Sequence, residues 1–290
     1  MIPQKVIVVT GASSGIGAAT AEALARRGHS VAVVARRADA LRAVAGRCEG
    51  RGRSFVADMT VRADVTRVVS EALAAFGRID VWMNNVGQGI TRVPSQLTDD
   101  DVDGVMRVNV KSALYGMQEV LPHFKDRGTG HIINISSMLG RIPSAVPRSA
   151  YCGAKHFLNA LTATFREELQ QTHPGIQFSL VSPGVVWTNF GANAMHGGPH
   201  SRELPGGQAA EEDERAGENH PARPGSNAGG RSARDDPDRR RLGGFAEAYA
   251  HAFVHADEIP SEAPISFPWQ AIRAQRRGAQ HRRSVAGSRG

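Results

Sequence analysis

Only two cysteines, Cys48 and Cys152, occur in 290 residues. That is too few for a disulfide framework, so the fold must rest on its apolar core. No apolar run approaches the roughly 18 residues that a membrane span needs. The opening Met1-Ile2-Pro3-Gln4-Lys5 passes straight into Val6-Ile7-Val8-Val9, without the order of a secretory leader. These absences predict a cytoplasmic protein with no membrane span. Basic residues outnumber acidic ones, 35 to 28, but they are scattered: residues 1–190 carry a net +6 and residues 191–290 a net +1. Aromatic residues do not interleave with them, so the surplus reads as a solvated surface and not as a nucleic-acid interface.

What is present divides unevenly. Val- and Ile-rich runs at 5–10, 30–35, 54–57, 79–84, 131–136 and 177–182 are continuously apolar, as strands buried on both faces of a parallel sheet are. Amphipathic patterns at 18–27, 62–76, 101–124 and 150–171 alternate with them. Thr98-Asp99-Asp100-Asp101 reads as an N-cap followed by first-turn acids. The alternation predicts an α/β fold: a Rossmann-like, doubly wound parallel sheet with helices on both faces. Beyond residue 195 the texture changes. From 196 to 241, Leu204 is the sole residue among Leu, Ile, Val and Phe, and residues 191–290 hold 14 Gly, 8 Pro and 14 Arg but no Lys. Such a stretch buries too little apolar surface to offset its ordering entropy. The expected organisation is therefore a folded α/β domain over 1–195 and an irregular or disordered region over 196–290, with a short helix at 244–255.

The first strand ends in Thr10-Gly11-Ala12-Ser13-Ser14-Gly15-Ile16-Gly17, and an alanine-rich helix pattern follows. In a strand–turn–helix context the glycines have separate tasks: Gly11 for the tight turn, Gly15 for close approach of a pyrophosphate, Gly17 for strand–helix packing. The helix amides and dipole then favour anionic phosphates. Further along, Tyr151 and Lys155 stand four residues apart and share one helix face. An ammonium beside a phenol lowers its pKa toward what proton transfer requires.

The GxxxGxG spacing resembles the short-chain dehydrogenase/reductase family. Five further points in chain order support the resemblance: Asp58, Asn84-Asn85-Val86-Gly87, Asn109, Ile135-Ser136-Ser137 with Tyr151-Cys152-Gly153-Ala154-Lys155, and Pro183-Gly184 followed by Thr188. The resemblance covers about residues 4–190, and it implies an oxidoreductase acting on a small-molecule carbonyl or alcohol. Tyr151 would be the general acid/base. Lys155 would lower its pKa and bind nicotinamide ribose, Ser137 would hydrogen-bond the substrate oxygen, and Asn109 would hold a relay water. The cofactor would contact Gly11, Ser13, Ser14, Gly15, Ile16, Gly17, Arg36, Arg37, Asp58, Asn85, Gly87, Tyr151, Lys155, Pro183, Gly184 and Thr188. Ser137 precedes Tyr151 by 14 positions, one more than in many family members, and the extra residue is assigned to the loop at 143–148. Ser136 lies 15 away and fits less well.

The second strand ends in Ala35 and continues with Arg36-Arg37. An acid there would bind a ribose 2′-hydroxyl, whereas guanidinium groups grip a 2′-phosphate. This predicts NADP(H) in preference to NAD(H), with Asp39 as the residue that could still serve a ribose hydroxyl. Val93, Leu139, Ile142, Val186 and Phe190 could line an apolar pocket suited to a hydrophobic alcohol or ketone. No metal site is expected: His251 and His255 are spaced for a helix face, but Ala252 stands where a metalloprotease carries glutamate. The seventh strand and the closing element common in the family have no counterpart after residue 195. A homo-oligomer is compatible with the resemblance but loses its usual interface there, and the alternative function is an NAD(P)-binding protein impaired in catalysis. A shifted reading frame near residue 208 would produce the same texture.

Overall fold

The computed structural model describes residues 3–142, 146–184, 186, 188 and 190–195. The expectations for 196–290, including the helix at 244–255 and the ending, lie outside the described residues. Six strands, β1 (Val6–Thr10), β2 (Ser30–Ala35), β3 (Gly52–Val56), β4 (Val81–Asn84), β5 (Gly130–Ile135) and β6 (Ile176–Val181), form one parallel sheet in the order β3-β2-β1-β4-β5-β6. The chain winds outward from β1 to β3, then crosses back to β4 on the other side of β1. That reversal opens a crevice at the carboxyl ends of β1 and β4, where such sheets bind ligands.

Side chains alternate across the sheet and feed two cores. Ile7, Val9, Val31, Val33, Met83 and Ile133 face one way, onto α1 (Gly15–Arg26) and α2 (Ala38–Gly46) through Ala21, Leu24, Leu41 and Val44. Val8, Ala32, Val34, Trp82 and Ile132 face the other way, onto α3 (Arg62–Phe76), α5 (Ser112–Arg127) and α6 (Ser149–Gln170) through Val68, Met117, Phe124 and Leu169. Strands apolar at every position are thus buried on both faces. β3 is the exception: an edge strand, it exposes Arg53, Ser54 and Val56, and its Arg53 lies over the Phe76 ring at 5.5 Å.

Two helical expectations differ from the structure. The pattern at 101–124 predicts one helix, but the chain forms α4 (Asp99–Met106), a π turn (Arg107–Lys111) and then α5. The π turn carries Asn109, whose side-chain amide donates to the carbonyls of Val105 at 3.0 Å and Gln88 at 2.9 Å. Widened turns of this kind re-aim a side chain at functional sites. The nine-residue α2 has no counterpart among the patterns read above, because it buries only Leu41 and Val44.

The cap read at Thr98 forms as a reciprocal box. Thr98 Oγ1 accepts from the Asp101 amide at 3.2 Å, and Asp101 Oδ2 accepts from the Thr98 amide at 3.0 Å. Arg92 Nη1 also donates to Asp101 at 2.6 Å, and these bonds hold the buried carboxyl below its usual range. Thr98→Ala should therefore lower unfolding stability by about 1 kcal/mol. Urea titration checks this, and an unchanged midpoint would contradict it.

Candidate active site

Because every strand is parallel, all six carboxyl ends open on the same edge of the sheet. The residues that follow β1 to β6 (the Gly11–Gly17 turn, Arg36-Arg37, Asp58, Asn85–Gly87, Ser136-Ser137 and Pro183-Gly184) therefore meet there although they are spread across the chain.

Gly11 and Gly15 hold φ of +65° and +58°, left-handed values that a side chain disfavours. Gly17 is constrained by space instead: a Cβ would lie 2.6 Å from both Asn85 Nδ2 and the Gly11 carbonyl. Asn85 closes this arrangement, donating from Nδ2 to the carbonyls of Thr10 and Gly11 at 3.1 and 3.2 Å and from its own amide to Thr10 Oγ1 at 3.1 Å. α1 begins inside the glycine turn, at Gly15 and not at 18. Ser14 is its N-cap, and its hydroxyl makes no capping bond, which leaves the first amides of a twelve-residue helix directed at the crevice. This cradle fits a pyrophosphate.

At the neighbouring strand end, Arg37 Nη2 donates to the hydroxyls of Ser13 and Ser14 at 3.0 and 2.9 Å, so its guanidinium sits on the rim of the cradle. Arg36 Nη1 lies 3.8 Å from Asp58 Oδ2, and Asp58 Oδ1 accepts from the Thr60 amide and hydroxyl at 2.9 and 2.8 Å. Asp39, the acid that could have served a ribose, is paired with Arg42. Thr188 leans over the opposite rim, its Cγ2 3.4 Å from where a Gly15 Cβ would stand. The Pro183 carbonyl accepts from the Met138 amide at 2.7 Å, which ties the loop after β6 to the loop after β5.

Deeper in the crevice, Tyr151 and Lys155 project from one face of α6. Lys155 Nζ lies 5.6 Å from the phenol ring centroid and donates to the Ile135 carbonyl at 2.9 Å. Among the described residues that is its one hydrogen bond, so a buried amine with three donors keeps capacity for a ligand's hydroxyls. A Cβ on Gly87 would stand 3.5 Å from Nζ and 3.1 Å from Asn109 Oδ1, and glycine keeps that space clear between them. Asn109 Oδ1 also accepts from the Gln88 amide at 3.2 Å. The two serines part ways. Ser137 lies beside the Tyr151 phenol, whose ionisation it favours, and its hydroxyl accepts from the Leu139 amide at 3.1 Å. Ser136 turns away to donate to Asn159 Oδ1 at 2.5 Å.

Without a cofactor beside it, the Tyr151 phenol is pushed up to about 12. Burial dominates, and the Ser137 hydroxyl and the Arg148 charge only partly oppose it. The Lys155 amine is itself pushed down to about 8 by burial. In the cofactor-free protein at neutral pH the phenol is therefore protonated.

Lys155 also gives a stability prediction. Its folded pKa of about 8 lies below the ordinary 10.5. Below pH 8 both states hold the proton and the full burial cost is present; between 8 and 10.5 the unfolded state holds it longer, so rising pH relieves that cost. Lys155→Met should raise the melting temperature of the cofactor-free protein at pH 7, with a gain of up to about 3 kcal/mol that shrinks as pH climbs toward 10. Calorimetry at pH 7 and pH 10 checks this, and a pH-independent difference would contradict it.

Sequence reasoning missed a buried polar chain beneath the site. Trp82 Nε1 donates to Asn84 Oδ1 at 2.8 Å, Asn84 Nδ2 to Asn134 Oδ1 at 2.8 Å, and Asn134 Nδ2 to Thr162 Oγ1 at 2.8 Å. The chain ties β4 to β5 and α6, and Asn134 within the apolar run Ile132-Ile133-Asn134-Ile135 was its signal. Two other residues went unassigned: Arg148, whose charge acts on Tyr151, and Gln88, which brackets Asn109. Of the apolar pocket candidates, Leu139 packs on the cluster that contains Tyr151, and Phe190 stands against the Tyr151 ring. Cys152 donates its thiol to the carbonyls of Leu139 and Ile142 at 3.0 and 3.2 Å. Among the described residues no helix is long and apolar enough to cross a membrane.

Comparison with known proteins places this geometry among relatives. A family model described as short chain dehydrogenase matches residues 5–197. An uncharacterized oxidoreductase of Staphylococcus epidermidis is 34% identical over 190 residues, 64% of this chain and 80% of its own. A metagenomic short-chain oxidoreductase solved in complex with NADP superposes with a TM-score of 0.59 at 35% identity, covering 63% of this chain and 84% of that one. A 3-ketoacyl-(acyl-carrier-protein) reductase from Brucella melitensis, complexed with NADH, gives 0.63 at 27% identity, covering 67% and 81%.

Proposed function

The chain belongs to the short chain dehydrogenase family, and from that premise we propose that it is an NADP(H)-dependent reductase of a small carbonyl compound, or the corresponding alcohol dehydrogenase in reverse, with Tyr151 as the proton donor. As a member it is an oxidoreductase that takes a nicotinamide cofactor; solved neighbours carry NADP or NADH. The phosphate cradle and the buried Lys155 fit such a cofactor, which when bound supplies the hydride.

The residues act as follows. The Gly11–Gly17 turn and the α1 amides hold the pyrophosphate. Lys155, with two donors uncommitted among the described residues, takes the nicotinamide ribose hydroxyls, and its ammonium then favours the phenolate that forms as Tyr151 gives up its proton. Ser137, beside the phenol, donates to the substrate oxygen as negative charge develops there. Arg36 and Arg37 favour a 2′-phosphate over a diol, because two cations face that strand end while Asp39 is engaged elsewhere.

The observation that carries this reading is the convergence of Ser137, Tyr151 and Lys155 beside the glycine cradle. The raised phenol pKa gives a direction to the pH dependence. Reduction uses the protonated phenol and should stay level through neutral pH. Alcohol oxidation needs the phenolate and should climb up to tenfold per pH unit until the phenol titrates. The test is loss of NADPH absorbance with a panel of aldehydes and ketones, on monodisperse protein whose NADPH binding is established by thermal shift. Binding without turnover of any carbonyl would contradict the proposal.

A further inference from the structure

Phe190 stands at the reacting group in a way that nothing above uses. Its ring meets Tyr151 edge-on, centroids 5.7 Å apart and planes inclined by 61°. The space it occupies is lined by glycines. A Cβ on Gly89 would come within 3.0 Å of Phe190 Cε1, and one on Gly87 would lie 4.0 Å from Cε2. A side chain at 89 would thus displace the ring.

The ring is also braced. The Phe190 amide donates to Thr188 Oγ1 at 3.2 Å. Further along, Gln88 Nε2 donates to the Asn193 carbonyl at 2.5 Å, and the Met195 amide donates to the Gly89 carbonyl at 2.9 Å. Met195 then packs on the Ile90, Val105 and Tyr151 cluster. Residues after Phe190 are therefore tied to the loop whose glycines admit the ring. Phe190 keeps 39% of its surface exposed, so its ring is only partly covered.

We infer that Phe190 is a specificity-determining residue: its ring walls one side of the Tyr151 hydroxyl, so that the site accepts carbonyls with one small substituent, aldehydes and methyl ketones, and rejects ketones that are bulky on both sides. This rests on the carbonyl reduction proposed above. A carbonyl carbon carries its two substituents in one plane on opposite sides of the oxygen, so an oxygen held by Tyr151 and Ser137 sends one of them toward Phe190. A rigid aromatic wall discriminates there by overlap, a larger penalty than the loss of a methylene contact. Leu139 and Ala150, half-buried against the Tyr151 cluster, give the larger substituent an apolar surface.

The test compares wild type with Phe190→Ala and Phe190→Leu, using acetophenone and benzophenone as probes with NADPH. Wild type should reduce acetophenone and not benzophenone. Phe190→Ala should raise the benzophenone-to-acetophenone ratio of kcat/KM at least about tenfold. Phe190→Leu should fall between the two, and the enantiomer ratio of the acetophenone product should drop in step. NADPH affinity, read from cofactor fluorescence, should not change. A ratio that stays constant while both variants turn over acetophenone overturns the wall. So does an increase in NADPH affinity at constant ratio, which would put the ring in cofactor space. Absence of NADPH oxidation in all three proteins, with the aldehyde and ketone panel as well as with these two probes, overturns the carbonyl reduction itself, an outcome distinct from the other two.

Discussion

Replacing Tyr151 with phenylalanine should lower carbonyl reduction by about 10³-fold or more while leaving NADPH affinity intact, since general acid catalysis by a positioned group contributes on the order of 10²–10⁴. The substitution removes one oxygen and keeps the ring. The ring is what packs: it contributes to the cluster with Ile90, Val105, Val110 and Ala154, and it meets Phe190. The hydroxyl, by contrast, reaches Ser137. Deleting it leaves Ser137 with its Leu139 amide bond and strands no buried charge, so the fold should hold. Cofactor contacts on the cradle, which follows β1, are untouched. Single-turnover rates and NADPH titration on the same preparation separate the two quantities. Turnover near the wild-type rate would contradict the assignment of the proton to Tyr151.

The second large effect concerns cofactor choice. Arg36→Asp combined with Arg37→Ala should reduce kcat/KM for NADPH about 100-fold and shift the NADPH-to-NADH ratio by at least that factor. A charge-assisted bond contributes about 1.5–3 kcal/mol, and 1.4 kcal/mol is tenfold. Arg36 is largely exposed, so solvent screening places the pair at the low end of that range. The aspartate adds repulsion against a phosphate and an acceptor for a ribose diol, so NADH should gain in relative terms. Arg37 also bonds Ser13 and Ser14, and its loss frees those hydroxyls at the cradle rim. Steady-state kinetics with both cofactors measures the shift. A preference for NADPH that survives the double substitution would show that the arginines are solvated bystanders.

Much of this was legible before any coordinates. Continuous Val and Ile runs announce buried parallel strands because backbone alternation delivers both parities of each run to a core, as Ile7, Val8 and Val9 do here. The glycine turn was legible because positive φ and lack of space leave few residues that can stand at 11, 15 and 17. The π turn was not legible: residues 101–124 keep a helical pattern, and what widens the turn is the demand of Asn109 for carbonyls on Val105 and on Gln88, twenty-one positions back in the chain. The α2 helix escaped because a short element with two buried residues has almost no periodic signal. The pKa of Tyr151 escaped for a different reason. Spacing on a helix places an ammonium near a phenol, but burial belongs to tertiary packing, and here it outweighs the neighbours' charge. The stance of Phe190 likewise depends on glycines about a hundred residues away, a pairing that no local pattern carries.

The central claim is that this crevice moves a hydride onto a carbonyl carbon and a proton onto its oxygen. Supplying NADPH that carries deuterium at the transferable nicotinamide C4 position, together with acetophenone, and examining the alcohol by mass spectrometry tests that claim most directly. The account predicts one deuterium on the carbinol carbon for each NADP+ formed. Alcohol that forms without the label, or labelled cofactor that stays intact on a monodisperse protein that binds it, would contradict the account.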